Sequence, residues 1–138
     1  MAKSGKAEPD IHQSIHLPVK GEEKFLGAVA HLALFFLPVL VPLAIYLLER
    51  NKADFSEFIL FQAKQAVLYQ ILALVAFGEI GLLLWLGSRW LVGDFFTPAF
   101  LGLLLLALGY ALFAAWQCMQ GRDFHYFWLG DLIRELRL

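Results

Sequence analysis

Three long apolar stretches alternate with short polar segments along the chain. They cover residues 25–48, 66–87 and 99–119. Each is long enough to cross a bilayer, whose hydrocarbon core requires about 20 apolar residues in a helix. A soluble helix of this length would show a polar face, and none of the three does. Because a backbone in lipid must satisfy its own hydrogen bonds, the pattern predicts an all-α integral membrane protein with three transmembrane helices.

Polar positions mark the segments outside the three spans. Residues 1–24 are charge-balanced and lack the apolar core of a secretory signal, so we expect a disordered tail before a single membrane domain, 25–138. Residues 57–65 mix phenylalanines with polar side chains, which predicts an amphipathic foot on helix 2. Residues 124–138 predict a C-terminal interfacial helix, because their apolar residues form one helical stripe; a frayed tail or a docking helix for a partner protein are the alternatives. Pro38 and Pro42 predict a bend in the first span, with a moving hinge as the alternative.

The composition agrees with a membrane location. Sixty per cent of the 138 residues are hydrophobic and 17% are charged, which is more apolar side chain than a soluble domain of this size can bury. The net charge of −1 shows no basic bias toward nucleic acid. The expected partners are therefore the lipid bilayer and other membrane subunits or a second copy of the chain.

Several glutamines lead into the second apolar stretch, and their position needs an explanation. The 31 residues from Glu57 to Gly87 would form a helix about 46 Å long, well beyond a bilayer core of about 30 Å. We therefore predict a polar cluster at the membrane interface. There a lysine reaches lipid headgroups and amides find partners on other helices. Its members are Gln62, Lys64, Gln65, Gln70 and Gln117.

Two titratable residues fall inside the predicted spans. His31 is about 9 Å from the tail-side start of the first span, and Glu79 about 12 Å from the tail-side end of the second. An acid within a bilayer costs upward of about 2.5 kcal/mol, so a partner is expected. The equal depths predict a polar clasp between His31 and Glu79. A proton relay, a metal site, a ligand contact, or an acid facing water at a thinned surface stay open as alternatives.

The sequence carries no recognisable catalytic constellation. It has no nucleophile with a neighbouring base, no glycine-rich phosphate loop and no cysteine pair. The remaining histidines, His12, His16 and His125, are too scattered to predict a metal site. We expect no enzyme activity and no cofactor. The predicted function is a scaffold, accessory or assembly subunit of a larger membrane complex. The alternative is a transport or translocation element, which would have to be oligomeric because three spans cannot enclose a pore.

Cationic residues near the membrane predict an orientation in a bacterial plasma membrane. Three lie on the tail side of a three-span topology: Lys20, Lys24 and Arg89. Six lie on the other: Arg50, Lys52, Lys64, Arg122, Arg134 and Arg137. Cytoplasmic segments carry the excess of lysine and arginine. The N-terminus is therefore expected outside and the C-terminus in the cytoplasm.

Two motifs carry a family resemblance. The first is FSEFILFQAKQAVLYQ, with Ala63–Ala66 and Gln70 as its most specific part, and the second is GRDFHYF after the last span. With them the chain resembles, over about residues 25–130, small prokaryotic membrane proteins with a domain of unknown function. That domain is distantly related to the twenty-kilodalton component of the chloroplast inner-envelope translocon. Members often have His at position 62 and Pro at position 127, where this chain has Gln62 and Phe127. The resemblance implies a membrane fold more than an activity, and it suggests the transport alternative.

Overall fold

Helices make up the regular structure in the computed structural model, which describes residues 18–87, 96–127 and 129. The helices are α1 (Gly21–Leu32), α2 (Leu40–Arg50), α3 (Glu57–Gly87) and α4 (Phe96–Met119), with a short 3-10 turn over Ala33–Phe35 between α1 and α2. No strand occurs within the described ranges. The all-α prediction is confirmed.

The first predicted span is two helices and not one. Residues 25–48 are divided between α1 and α2 by the 3-10 turn and residues 36–39. Pro38 lies in that connection. Pro42 lies in the first turn of α2, where a missing amide hydrogen removes no helical hydrogen bond. The prolines therefore separate two helices and do not bend one. Among the described helices, only α3 and α4 are long and apolar enough to cross a membrane, so three spans are not confirmed.

Contacts with α3 show that α1 and α2 fold back on each other. His31, near the end of α1, contacts Gln62, five residues into α3. Glu49, near the end of α2, accepts a hydrogen bond from the backbone nitrogen of Ser56, just before α3 begins. Hence α1 runs parallel to α3 and α2 runs antiparallel to it. We call α1, the turn and α2 the re-entrant hairpin, and the end where α1 begins and α2 stops the hairpin end.

The re-entrant hairpin reaches less than halfway along α3. Its turn is bonded to Gln70, about 20 Å from the start of α3, while α3 is about 46 Å long. The helices α1 and α2 have 12 and 11 residues, so each is about 17 Å long, too short for a core of about 30 Å. Neither helix of the re-entrant hairpin is therefore long enough to cross a membrane by itself.

The tight packing lies at the hairpin end. A Cβ added to Gly27 of α1 would lie 3.1 Å from the Phe58 ring and 3.5 Å from the Cβ of Cys118, so α1, α3 and α4 approach closely there. Phe58 packs against the core, and the ring of Phe61 lies 5.0 Å from that of His125. Protein contacts thus hold the predicted amphipathic foot, which forms the first turns of α3. The buried residues of the main apolar cluster are Ala28, Ala114, Ala115, Cys118, Phe124 and Tyr126.

A left-handed glycine ends α4 and turns the chain back onto the bundle. Gly121 has φ 72°, its amide bonds the Cys118 carbonyl at 2.8 Å, and the Arg122 amide bonds the Gln117 carbonyl at 3.1 Å. This is the Schellman arrangement. Residues 122–126 have no regular secondary structure, so the C-terminal interfacial helix predicted from residue 124 does not begin there. Residues 128 and 130–138 lie outside the described residues.

Three segments outside the helices lie at one end of the bundle. The segment at 18–20, the loop at 51–56 and residues 122–127 all lie at the hairpin end. Residues 18–20 and 122–127, which a three-span topology would place on opposite sides, are therefore at the same end of the bundle, and the predicted orientation is not confirmed. Helix α1 begins at Gly21, so the last four residues of the expected polar tail are helical. Residues 1–17 lie outside the described residues.

Candidate functional site

Five polar residues converge inside the hairpin end of the bundle. The side chains of His31, Gln62, Gln65, Gln70 and Tyr126 are between 0% and 2% exposed. They come from α1, from α3 and from the segment after α4. We call these five residues the buried polar cluster. Three of the four glutamines that the sequence predicted at a membrane interface, Gln62, Gln65 and Gln70, are thus inside the protein, where they bind partners on other elements.

The imidazole of His31 uses both of its nitrogens. Its Nε2 lies 3.1 Å from the side-chain oxygen of Gln62, and its Nδ1 lies 3.0 Å from the hydroxyl of Tyr126. The nitrogen of the Gln62 amide donates to Asp123 Oδ1 at 2.9 Å and to the Phe124 carbonyl at 3.2 Å, which directs the amide oxygen toward His31. Since that oxygen can only accept, the proton of the neutral imidazole sits on Nε2 and Nδ1 accepts from the tyrosine.

Gln65 joins α3 to the segment that follows α4. Its side-chain nitrogen donates to the Phe124 carbonyl at 2.9 Å, and its oxygen accepts from the Tyr126 amide at 2.8 Å. These two bonds satisfy backbone groups that no helix or strand pairs. They therefore fix the position of Tyr126, whose hydroxyl bonds His31.

Gln70 holds the turn of the re-entrant hairpin. Its oxygen accepts from the Val39 amide at 2.6 Å, and its nitrogen donates to the Ala30 carbonyl at 2.9 Å. Val39 has φ 65° and ψ −46°, and the Leu40 amide bonds the Pro38 carbonyl at 2.7 Å, which is a γ-turn of the rare positive-φ form. Non-helical backbone at membrane depth needs protein partners. Gln70 supplies one, and this explains an amide at that position.

Aromatic rings close the far side of the cluster. The ring of Tyr126 stacks on that of Tyr69 with centroids 4.2 Å apart, and meets that of Tyr110 edge-on at 5.1 Å. The Tyr69 hydroxyl donates to the Ala107 carbonyl at 2.7 Å. The rings therefore bridge α3 and α4 just past the cluster.

The structure does not bring His31 and Glu79 together. His31 is level with Gln62, which is about 26 Å along α3 from Glu79. The side chain of Glu79 is exposed, and the nearby Phe77 meets Phe100 in the second turn of α4. Glu79 thus lies near the end of the bundle opposite the hairpin end. The sequence placed His31 and Glu79 at equal depth by assuming that residues 25–48 form one helix across the membrane. In the structure these residues form two short helices, so the estimate does not apply.

Lys64 and Gln117 lie outside the buried polar cluster. The Lys64 ammonium is 5.4 Å from the ring centroid of Tyr46 on α2, within the range of a cation–π contact. The oxygen of Gln117 accepts from Arg122 at 3.4 Å, at the exposed surface. Of the five predicted interfacial residues, three are therefore buried in the cluster and two lie outside it.

Sequence reasoning missed Tyr126 as a member of the cluster. A tyrosine that follows an apolar span is typical of a membrane surface, whereas the side chain of Tyr126 is only 2% exposed. The signal that could have found it is the motif GRDFHYF, which contains Asp123, Phe124 and Tyr126, all three in contact with the glutamines.

The chemistry of the cluster is that of a closed network. Every buried side-chain nitrogen and oxygen in the described residues has a hydrogen-bond partner. Within the same residues, no three His, Cys, Asp or Glu side chains converge as a metal site would require. At the hairpin end, the ammonium of Lys52 donates a hydrogen bond to the carboxylate of Glu49 at 2.6 Å. This hydrogen bond raises the pKa of Lys52. The arrangement joins the re-entrant hairpin, α3 and the returning segment.

One known family accounts for most of the chain. The pattern of the magnetosome magnetite crystal formation protein family, MamF/MmsF, matches residues 22–133. No curated protein and no solved structure matches. The resemblance to the translocon-related domain of unknown function was wrong, because the family match is to a different group. The matched range contains the re-entrant hairpin, both candidate spans and the buried polar cluster, and the chain belongs to the MamF/MmsF family of magnetosome magnetite crystal formation proteins.

Proposed function

We propose that this chain supports magnetite crystal formation as a non-catalytic scaffold or accessory subunit of the magnetosome membrane. The observation that carries the proposal is the closed buried polar cluster. Its amides bond backbone groups of the hairpin turn and of the returning segment. Its histidine bonds an amide and a hydroxyl. The polar groups therefore stabilise the fold, which supports a structural role. The family match supports magnetite crystal formation as the process in which the protein acts.

The charge distribution supports an orientation for this scaffold. All six cationic residues in the described ranges lie toward the hairpin end: Lys20, Lys24, Arg50, Lys52, Lys64 and Arg122. The connection between α3 and α4 contains Arg89. Cytoplasmic segments are the ones enriched in lysine and arginine. We therefore place the hairpin end in the cytoplasm and the α3–α4 connection on the opposite side.

A deletion and complementation experiment in a magnetite-forming bacterium tests the role. The deletion strain receives the parent chain, the double variant His31→Phe with Tyr126→Phe, or the surface control Gln117→Leu. Electron microscopy gives crystal size and number, elemental analysis gives total cell iron, and immunoblotting of membranes gives the amount of each chain. The double variant keeps two packed rings but removes the imidazole and the hydroxyl of the cluster.

A scaffold predicts altered crystals in the deletion strain at unchanged total cell iron. It also predicts that the double variant restores crystals in proportion to its amount in the membrane, as Gln117→Leu does. A double variant that accumulates fully but restores no crystals would contradict the proposal, because the cluster would then act chemically. Lowered cell iron in the deletion strain would instead favour the transport alternative.

A further inference from the structure

The two halves of the membrane-embedded structure contain different numbers of helices. At the hairpin end, the first turns of α3 pack against both α1 and α2, and the last turns of α4 pack against α1. Six residues of α3 between Ile59 and Gln70 are buried there. Beyond Gln70, no described residue of α3 is buried, and none of α4 from Thr97 to Tyr110. We call these the wide half and the narrow half.

The boundary between the halves falls near the middle of a bilayer. From Phe58 to Gln70 is about 18 Å of helix, and from Gln70 to Glu79 about 14 Å. Together they match a hydrocarbon core of about 30 Å, with charged residues at either end. The two additional helices, each about 10 Å across, add on the order of 150 Å² of cross-section to one leaflet. The chain is therefore wedge-shaped across the membrane.

The surface around the boundary is suited to acyl chains. At the tip of the re-entrant hairpin, Phe36 is 83% exposed, and Leu40 is 64% exposed. The narrow half presents large side chains, such as Leu105 at 68% exposure, whereas helix partners in membranes favour small residues at the contact. The charged residues of the hairpin itself, such as Lys24, Glu49 and Arg50, are at its base, where headgroups lie, and the ammonium of Lys64 on α3 lies over the ring of Tyr46 on α2. Lipid is therefore the occupant that this surface fits.

We propose that the chain is a membrane wedge that favours a curved bilayer, with the wide half in the leaflet on the convex side. A leaflet on the convex side has more area per lipid, and two additional helices fill it at lower cost than they would fill a flat leaflet. With the hairpin end in the cytoplasm, the convex leaflet is the outer one of an intracellular vesicle. The wedge follows from the fold and does not depend on the proposed scaffold role.

The orientation of the full chain in vesicles of two sizes tests the wedge. Asp54→Cys places a thiol in the exposed loop at the hairpin end, while the native Cys118 is buried and serves as the labelling blank. The protein is reconstituted, at less than about one copy per vesicle, into phosphatidylcholine vesicles of about 50 nm and about 400 nm diameter, sizes that differ in curvature. An impermeant maleimide, added before and after detergent, gives the outward fraction. Because phosphatidylcholine carries no net charge, the lysines and arginines of the hairpin end have no anionic leaflet to favour, and charge does not set the orientation.

The wedge predicts at least about a twofold excess of outward over inward orientation in the small vesicles, equivalent to about 0.4 kcal/mol, and a smaller excess in the large ones. Equal excess at both sizes would overturn it. An excess that appears only at many copies per vesicle would also overturn it, because a second copy and not lipid would then cover the narrow half.

Matched leucine pairs separate the two leaflets. Leu40→Ala with Leu47→Ala trims the lipid-facing side of α2, and Leu101→Ala with Leu105→Ala trims α4 in the narrow half; all four side chains are between 49% and 68% exposed. The first pair should lower the outward excess in small vesicles, and the second should keep or raise it. An equal loss from both pairs would show that leaflet asymmetry is not the cause.

Discussion

Replacing Gln70 with leucine should loosen the turn of the re-entrant hairpin. The change keeps a side chain of similar size but removes the acceptor of the Val39 amide and the donor to the Ala30 carbonyl, at 2.6 Å and 2.9 Å. Val39 lies in a γ-turn, where no helical carbonyl can take over its N–H. We therefore expect an unpaired donor at about the middle of the membrane.

Two magnitudes bracket the cost. Side-chain hydrogen bonds between membrane helices average about 0.6 kcal/mol, because the unfolded chain in the membrane also finds partners. A buried donor without an acceptor costs about 1–3 kcal/mol. The second magnitude governs here, since Gln70 is 1% exposed and its partner is backbone. We expect Gln70→Leu to lower the free energy of unfolding by about 1–3 kcal/mol.

Reversible unfolding in mixed micelles, followed by tryptophan fluorescence, measures this quantity. Gln117→Leu is the matched control, because it is the same substitution at a residue whose one side-chain bond is a 3.4 Å contact with Arg122 at the surface. That control should stay within about 0.5 kcal/mol of the parent. Equal free energies for Gln70→Leu and Gln117→Leu would refute the assignment of Gln70 to the hairpin turn.

Four further experiments test the fold. Val39→Gly should raise the free energy of unfolding in micelles by about 1 kcal/mol, since a β-branched residue at φ 65° is strained. A lower free energy of unfolding would show that the packing of the valine side chain outweighs this strain. Gly121→Ala should lower it by about 1 kcal/mol because φ is 72°, and an unchanged value would argue against the Schellman turn. Tyr126→Phe should lower the free energy of unfolding by about 1 kcal/mol, because the hydrogen bond to His31 is lost. An unchanged value would show that this bond does not stabilise the fold. Single cysteines at Lys20 and Asp54 should label from the same side of intact vesicles, and labelling from opposite sides would restore the three-span topology.

The sequence by itself determined the class of the protein and the residues to suspect. A run of apolar residues as long as α3 or α4 has one stable form in lipid, because the helix alone satisfies every backbone group within the segment. Glutamines in such a run need partners for the same reason. Gln62, Gln65 and Gln70 could thus be selected before their partners were known, and each proved to be buried and bonded.

Only the tertiary structure decided that residues 25–48 turn back. The apolar content of that segment suits one crossing helix and two short ones equally, since hydropathy does not depend on chain direction. The reversal depends on Gln70, 31 residues from Val39 along the chain. The place of His31 depends on Tyr126, 95 residues away. A depth estimated from helix rise depends on the topology that is assumed. The expected pairing of His31 with Glu79 was wrong because it assumed that residues 25–48 form one crossing helix. Contacts between distant residues, which local patterns do not encode, set the topology of this chain.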